Sequence, residues 1–107
     1  MKIVNNIDKN IFREYDIRGT YNVNLNEDVS YTIGKAYGTY IKRFNETICV
    51  VGHDNRLSSL SINESLIEGI LSTGINVVDI GLVTTPMLYF ARILRKTNAS
   101  IMVTASH

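Results

Sequence analysis

The chain has 107 residues, 45% hydrophobic and 20% charged, with 11 Lys and Arg against 10 Asp and Glu for a net charge of +1. That length gives one domain, residues 1–107, able to bury roughly 65% of the surface its unfolded form exposes. The near balance of charge argues against a non-specific nucleic-acid binder, which needs a basic surplus, but leaves room for a small basic site for phosphate.

No apolar run approaches the roughly 18 residues of a membrane span, and the polar start, Met1 to Asn10, lacks a signal-peptide core. The single cysteine, Cys49, excludes an internal disulfide and lies in the apolar run Ile48-Cys49-Val50-Val51. It reads as a buried, inert thiol in a reducing, cytoplasmic setting.

In chain order, Met1 to Asn10 is a lead-in with a short strand expected at Lys2–Val4. Ile11 to Ile17 alternates charged and apolar residues and stops at Arg18-Gly19-Thr20. A glycine beside an arginine lets the backbone turn while a long cation reaches out. Taken alone, the arginine reads equally as a solvated side chain at a strand end.

Asn26-Glu27-Asp28 opens the clearest helix, with Asn26 as cap and two acids at the positive end of the dipole. Val29, Ile33, Ala36, Tyr37, Tyr40, Ile41 and Phe44 follow at helical spacing, which predicts one continuous apolar face, with the tyrosines in the core. Thr47 to Val51 is β-branched and apolar, a buried strand. It ends in the polar loop Gly52-His53-Asp54-Asn55-Arg56.

Ser58 or Ser59 is expected to cap the next helix, with Ile62, Leu66, Ile67 and Ile70 facing inward and Gly74 as its left-handed stop. Ile75 to Ile80 is the next strand, closed by Gly81. Thr85-Pro86 opens a third helix, threonine as cap and proline at the first helical position. Met87, Phe90, Ala91 and Leu94 repeat along it, and Asn98 takes the stop. Ala99 to Val103 is the last strand, followed by Thr104-Ala105-Ser106-His107.

Strand, helix, strand, helix, strand over Thr47 to Val103 makes two right-handed crossover units. The expectation is an α/β fold: three layers, a mostly parallel sheet, helices on both faces. The strand ends at His53-Asp54, Gly81 and Thr104–Ser106 then share one edge. Open α/β sheets bind ligands outside the carboxyl ends of their strands. A flexible turn there can present a reactive hydroxyl, and Ser106 is the candidate. Ser106 and His107 are neighbours and so do not form a hydrolase-type dyad.

Three stretches together carry a resemblance. Phe12-Arg13-Glu14-Tyr15-Asp16-Ile17-Arg18-Gly19 resembles the opening motif of the α-D-phosphohexomutases, in the wording of their phosphomannomutase/phosphoglucomutase branch. Val51-Gly52-His53-Asp54-Asn55-Arg56-Leu57-Ser58 is similar to that family's Gly-Arg-Asp-x-Arg motif. Thr104-Ala105-Ser106-His107 is similar to its phosphoserine loop, and Asp79-Ile80-Gly81 through Thr85-Pro86-Met87-Leu88-Tyr89-Phe90 adds a fourth match. His53 stands where the family usually has arginine, and Thr84 where a proline is common.

The resemblance implies the first domain of an enzyme that normally has four, ending at the serine loop. It implies interconversion of hexose 1-phosphate and 6-phosphate through a phosphoserine at Ser106 and a bisphosphorylated sugar. Arg18 would screen the phosphate's charge, and His107 would transfer a proton or contact the phosphate. Tyr15, Asp54, Arg56 and Thr104 would support the loops. Mg2+ would be held by the phosphate on Ser106 and by aspartates that this sequence does not contain, and hexose 1,6-bisphosphate would act as activator and intermediate.

The expected partners are a phosphosugar and the remaining domains, with no nucleic acid and no membrane. Self-association of these 107 residues stays open. By themselves they are expected to be inactive. Two other readings stand beside this one: a phosphoglucosamine mutase domain, and an α/β binding or interaction module without catalysis.

Overall fold

The computed structural model describes residues 2–11, 17, 19, 21–54, 57–82 and 84–104, with the side chains of 57–59 and 85 outside the description. A 3-10 turn at Lys9–Ile11 leads in. Then come α1 (Glu27–Lys42), β1 (Ile48–His53), α2 (Leu57–Leu71), β2 (Asn76–Leu82), α3 (Thr85–Leu94) and β3 (Ser100–Val103). The three strands form one parallel sheet in the order β2-β1-β3.

This order follows from the two crossovers. The connection through α2 carries the chain from β1 to one neighbour, and the connection through α3 carries it back across β1 to the other. Right-handed crossovers in opposite directions put their helices on opposite faces. The packing agrees. Leu66 and Ile70 of α2 and Ile41 of α1 share a core with Cys49, Val51, Ile75 and Val103. Val50, fully buried between them in sequence, alternates to the other face, where α3 packs on β1 and β3.

Helix α1 begins as expected: the Asn26 side chain accepts from the Val29 amide at 2.9 Å. Its buried face differs from the expected one. Ser30, Gly34 and Gly38 are buried, whereas Tyr40 and Phe44 are exposed and meet in a tilted ring contact at 5.1 Å between centroids. Ala36 is also exposed, and Tyr37 alone of the two tyrosines packs against the core.

The reason is close approach to α2. A Cβ on Gly34 would overlap the Leu66 carbonyl oxygen, one on Gly69 the Tyr31 carbonyl oxygen, and one on Gly38 the Thr73 hydroxyl. The matched steps Ser30–Ile62, Gly34–Leu66 and Gly38–Thr73 show that the two helices run side by side in the same direction. Both therefore start at the same end of the sheet.

Several boundaries shift. The expected strand at Lys2–Val4 is absent: the Lys2 and Val4 amides instead donate to Asp28 Oδ1 and Thr32 Oγ1 of α1, at 3.4 and 2.8 Å. Helix α2 starts at Leu57, before both serines expected to cap it, so Ser58 and Ser59 lie in its first turn. Thr84, not Thr85, is the cap residue of α3, which puts Pro86 at the second helical position.

The stop of α3 is also earlier than expected: Arg95 is the cap and Lys96 takes the positive φ of 55°. Gly74 does end the α2 turn with φ 92°. Among the described side chains of α3 the buried one is Leu88, while Met87, Phe90 and Leu94 are exposed.

Candidate functional site

The carboxyl ends of the strands meet in register. His53 pairs with Leu82 on one side and Val103 on the other. One residue beyond β1, the Asp54 amide donates to the Val103 carbonyl at 3.0 Å. This bond ties the loop after β1 to the last residue of β3, and the exposed Thr104 follows directly. The His53 ring adds a short local contact, Nδ1 to the Asp54 carbonyl oxygen at 2.6 Å. A carbonyl only accepts, so Nδ1 is the donor in this contact.

The third strand end bends away. Register slips between Val51↔Asp79 and Gly52↔Gly81, so Ile80 is the extra residue of a bulge. Gly81 there has φ 72°, and its amide donates to Asp79 Oδ1 at 2.9 Å. Ile80, Pro86, Met87, Phe90 and Ala91 line an open groove of about 440 Å³. It is almost wholly apolar and lacks the convergent donors that a phosphosugar requires. The polar edge at Asp54 and Thr104 is the better candidate.

A second set of polar groups lies at the starts of α1 and α2. The chain doubles back at Asn22, φ 61°, whose amide donates to the Leu25 carbonyl at 2.9 Å, and Tyr21 bridges to Leu25. The Tyr21 hydroxyl donates to Glu27 Oε2, and the Ser61 side chain bonds both. The Tyr21 bond holds the Glu27 carboxyl below the usual range, and that carboxylate pushes the Tyr21 phenol up. The sequence marks Glu27 only as a helix-start acid and gives no signal for Tyr21 or Ser61, because polar residues at positions 21, 27 and 61 form no local pattern.

Of the residues expected to act, Asp54 and Thr104 are brought together at the ends of adjacent strands. Tyr15, Arg18, Arg56, Ser106 and His107 lie outside the described residues, and with them the expected convergence of Arg18 on Ser106. Cys49 behaves as expected of a core thiol: burial pushes it up to about 12. Among the described residues no three His, Cys, Asp or Glu side chains are grouped so as to hold a metal ion. None of the described helices is long and apolar enough to cross a membrane.

A parallel α/β domain with a polar edge where β1 and β3 end is the class these elements define. Residues 9–107 match the model of the family described as phosphoglucomutase/phosphomannomutase, alpha/beta/alpha domain I, and the chain belongs to that family. It is 46% identical over 96 residues to a phosphomannomutase of Klebsiella pneumoniae, covering 90% of this chain and 59% of that protein. It is 41% identical over 98 residues to a phosphomannomutase of Vibrio cholerae, covering 90% of this chain and 21% of that one. A phosphoglucomutase/phosphomannomutase family protein of Burkholderia thailandensis has the same fold. Its crystal structure matches with a TM-score of 0.78 at 40% identity over 79% of this chain and 19% of that chain. The chain thus spans about a fifth of the length of two of these three relatives.

Proposed function

We propose that this chain acts as the phosphoserine-bearing first domain of a phosphohexomutase that interconverts hexose 1-phosphates and 6-phosphates. The observation that carries the reading is the family match over residues 9–107, on a fold that brings the Asp54 loop and Thr104 to one edge. Relatives named phosphomannomutase and phosphoglucomutase favour this reading over the phosphoglucosamine branch. The presence of Arg18 and Ser106 together also favours catalysis over a binding module.

In this reading the phosphoryl group leaves Ser106 Oγ for the free hydroxyl of the sugar phosphate. One P–O bond breaks at the serine, one forms at the sugar, and the hydroxyl proton passes to a base. The bisphosphorylated sugar turns over and returns its other phosphate to Ser106. Charge on the moving group is the main barrier, so a planar cation at Arg18 is suited to screen it. His107 is suited to carry the proton or to contact the phosphate. Tyr15, Asp54, Arg56 and Thr104 shape the loops around it.

Family members are expected to use Mg2+, but the described residues supply no ligand cluster, so no step is assigned to the ion in this domain. The partners are a phosphosugar and the remaining domains of the enzyme.

A chimera tests this. The first domain of the Vibrio cholerae phosphomannomutase is replaced by this chain. The expected result is phosphomannomutase turnover, a phosphate adduct mapping to Ser106, and loss of most activity in Ser106→Ala. A chimera with the parent's unfolding midpoint but neither turnover nor adduct would overturn the reading.

A further inference from the structure

Helix α3 is apolar on nearly every side. Leu88 is buried, yet Met87 and Tyr89 are 54% and 55% exposed and Phe90, Ile93 and Leu94 are each 64% exposed. Pro86 is exposed with them. At about 100° per residue these side chains fall within about 160° of the helix circumference, opposite Leu88. Arg92 is the one charged residue between Pro86 and Leu94, and it is half-buried and drawn off this face. Its Nη1 donates to the Thr97 carbonyl and to Asn98 Oδ1, both at 3.4 Å.

A helix that is hydrophobic all round belongs in an interior. Five large apolar side chains, each more than half exposed, present on the order of 600 Å², the upper end for the largest apolar patch of a monomer. Beside them runs the apolar groove of about 440 Å³ between α3 and Ile80 of β2. The other face of the sheet is covered by two helices, α1 and α2, whereas nothing among the described residues lies over α3.

Resting on the reading of this chain as the first domain of a longer enzyme, we propose that the exposed face of α3, centred on Phe90 and Ile93, is the surface on which another domain of the same protein seats an apolar surface of its own. The matched stretch is 21% of the Vibrio cholerae relative and 19% of the Burkholderia thailandensis one, so most of such a polypeptide lies elsewhere. Helix α3 packs on β3 and starts from the carboxyl edge, where Thr104 is exposed. Chain continuing from that edge begins beside this face. A tethered partner acts at an effective concentration of roughly mM, which favours it over a free second copy. The patch also suits an interface between domains of one chain, about 600–1,500 Å² in all.

The test compares this chain alone with the Vibrio chimera, both held monomeric as checked by sedimentation velocity. Hydroxyl radicals are expected to modify Met87, Tyr89 and Phe90 about fivefold more slowly in the chimera, as when a half-exposed side chain becomes buried. Phe90→Asp is expected to leave the unfolding midpoint of the chain alone nearly unchanged, and to return Met87 and Tyr89 of the chimera to most of the reactivity they have in the chain alone.

Equal reactivity in the chain alone and in the chimera would overturn the interface. Protection found only at concentrations where the chimera dimerises would give the face to a second copy. A Phe90→Asp loss of midpoint as large in the chain alone as in the chimera would make Phe90 part of this domain's own fold. The readout needs no turnover, so an inactive chimera with the face protected would overturn the phosphoryl-transfer reading alone. An active chimera with the face open would overturn the interface alone.

Discussion

The amide of Asp54 donates to the carbonyl of Val103 at 3.0 Å, one residue past the end of β1. It extends the parallel ladder beyond the regular strand and joins the two segments whose motifs carry the functional reading. If this bond holds the edge together, removing the donor should matter more than removing the side chain. Asp54→Pro is expected to cost about 1–2 kcal/mol in urea unfolding, through the lost hydrogen bond and the orphaned carbonyl. Asp54→Ala keeps the amide and should cost less. Equal losses would show that the side chain, not the ladder, matters.

The contact between α1 and α2 depends on three glycines in a way that apolar counting does not capture. At Gly69 any side chain meets the backbone of Tyr31, which cannot rotate away. Gly69→Ala is therefore expected to lose about 3 kcal/mol or more, because the helices must move apart. Gly81→Ala is the contrast: no atom lies within 4 Å of the added Cβ, but φ is 72°. Its cost should be about 1 kcal/mol, from backbone strain alone. Denaturant midpoints of the two variants measure the difference, and a larger loss at Gly81 would reject the close-packing account.

At the opposite end of the sheet, Thr97 is buried and its hydroxyl joins three groups. It lies 2.8 Å from Glu46 Oε2 and 2.7 Å from the Ile48 carbonyl, and it accepts from the Ala99 amide at 3.0 Å. The one proton serves either Glu46 or Ile48 at any moment. Thr97→Val keeps the shape but leaves these groups without their partner, and should cost about 2–3 kcal/mol. Thr97→Ser should cost under about 1 kcal/mol by the same measurement. A neutral Thr97→Val would mean that water takes over the three bonds.

Burial raises the Cys49 thiol from its ordinary value of 9.0 to about 12. The folded state therefore keeps its proton where the unfolded state has lost it. The thiol's contribution is fully present below the unfolded value, and stability falls as pH rises from there toward the folded value. Over that window the loss is about 1.4 kcal/mol per pH unit for one proton. Cys49→Ala should flatten the decline just above pH 9. Tyr37, also raised to about 12 by burial, keeps a decline beginning near its ordinary value of 10.0. Identical slopes in both proteins between pH 9 and 10 would contradict a buried, protonated Cys49.

The parts of the fold that were legible in the sequence are those written in local chemistry. Asn26 before two acids marks a helix start, Gly74 marks a stop, and β-branched runs mark strands. The inward face of α1 was not legible, because Gly34 and Gly38 carry no hydrophobic signal and their meaning exists only once α2 lies against them. The cap of α2 was misplaced because serine is tolerated in a first turn as well as before it. At the site, spacing alone pointed to a polar edge at Asp54 and Thr104. Naming phosphoryl transfer needed the motifs, since a hydroxyl near a strand end is compatible with many chemistries.

The motifs also set the sharpest expectation, that Arg18 acts in transfer rather than in folding. Its neighbour Gly19 packs closely against Ile11, Asn24 and Leu25, contacts that do not involve a guanidinium. In the Vibrio chimera, Arg18→Ala is expected to lower kcat by about 10²-fold or more, comparable to removing one fixed donor from a charge-stabilising site. The unfolding midpoint should stay close to the parent's. Arg18→Lys should recover part of the rate but not all, because a point charge replaces a planar fork. The opposite pattern, lost stability with full turnover, would move Arg18 from the chemistry to the scaffold.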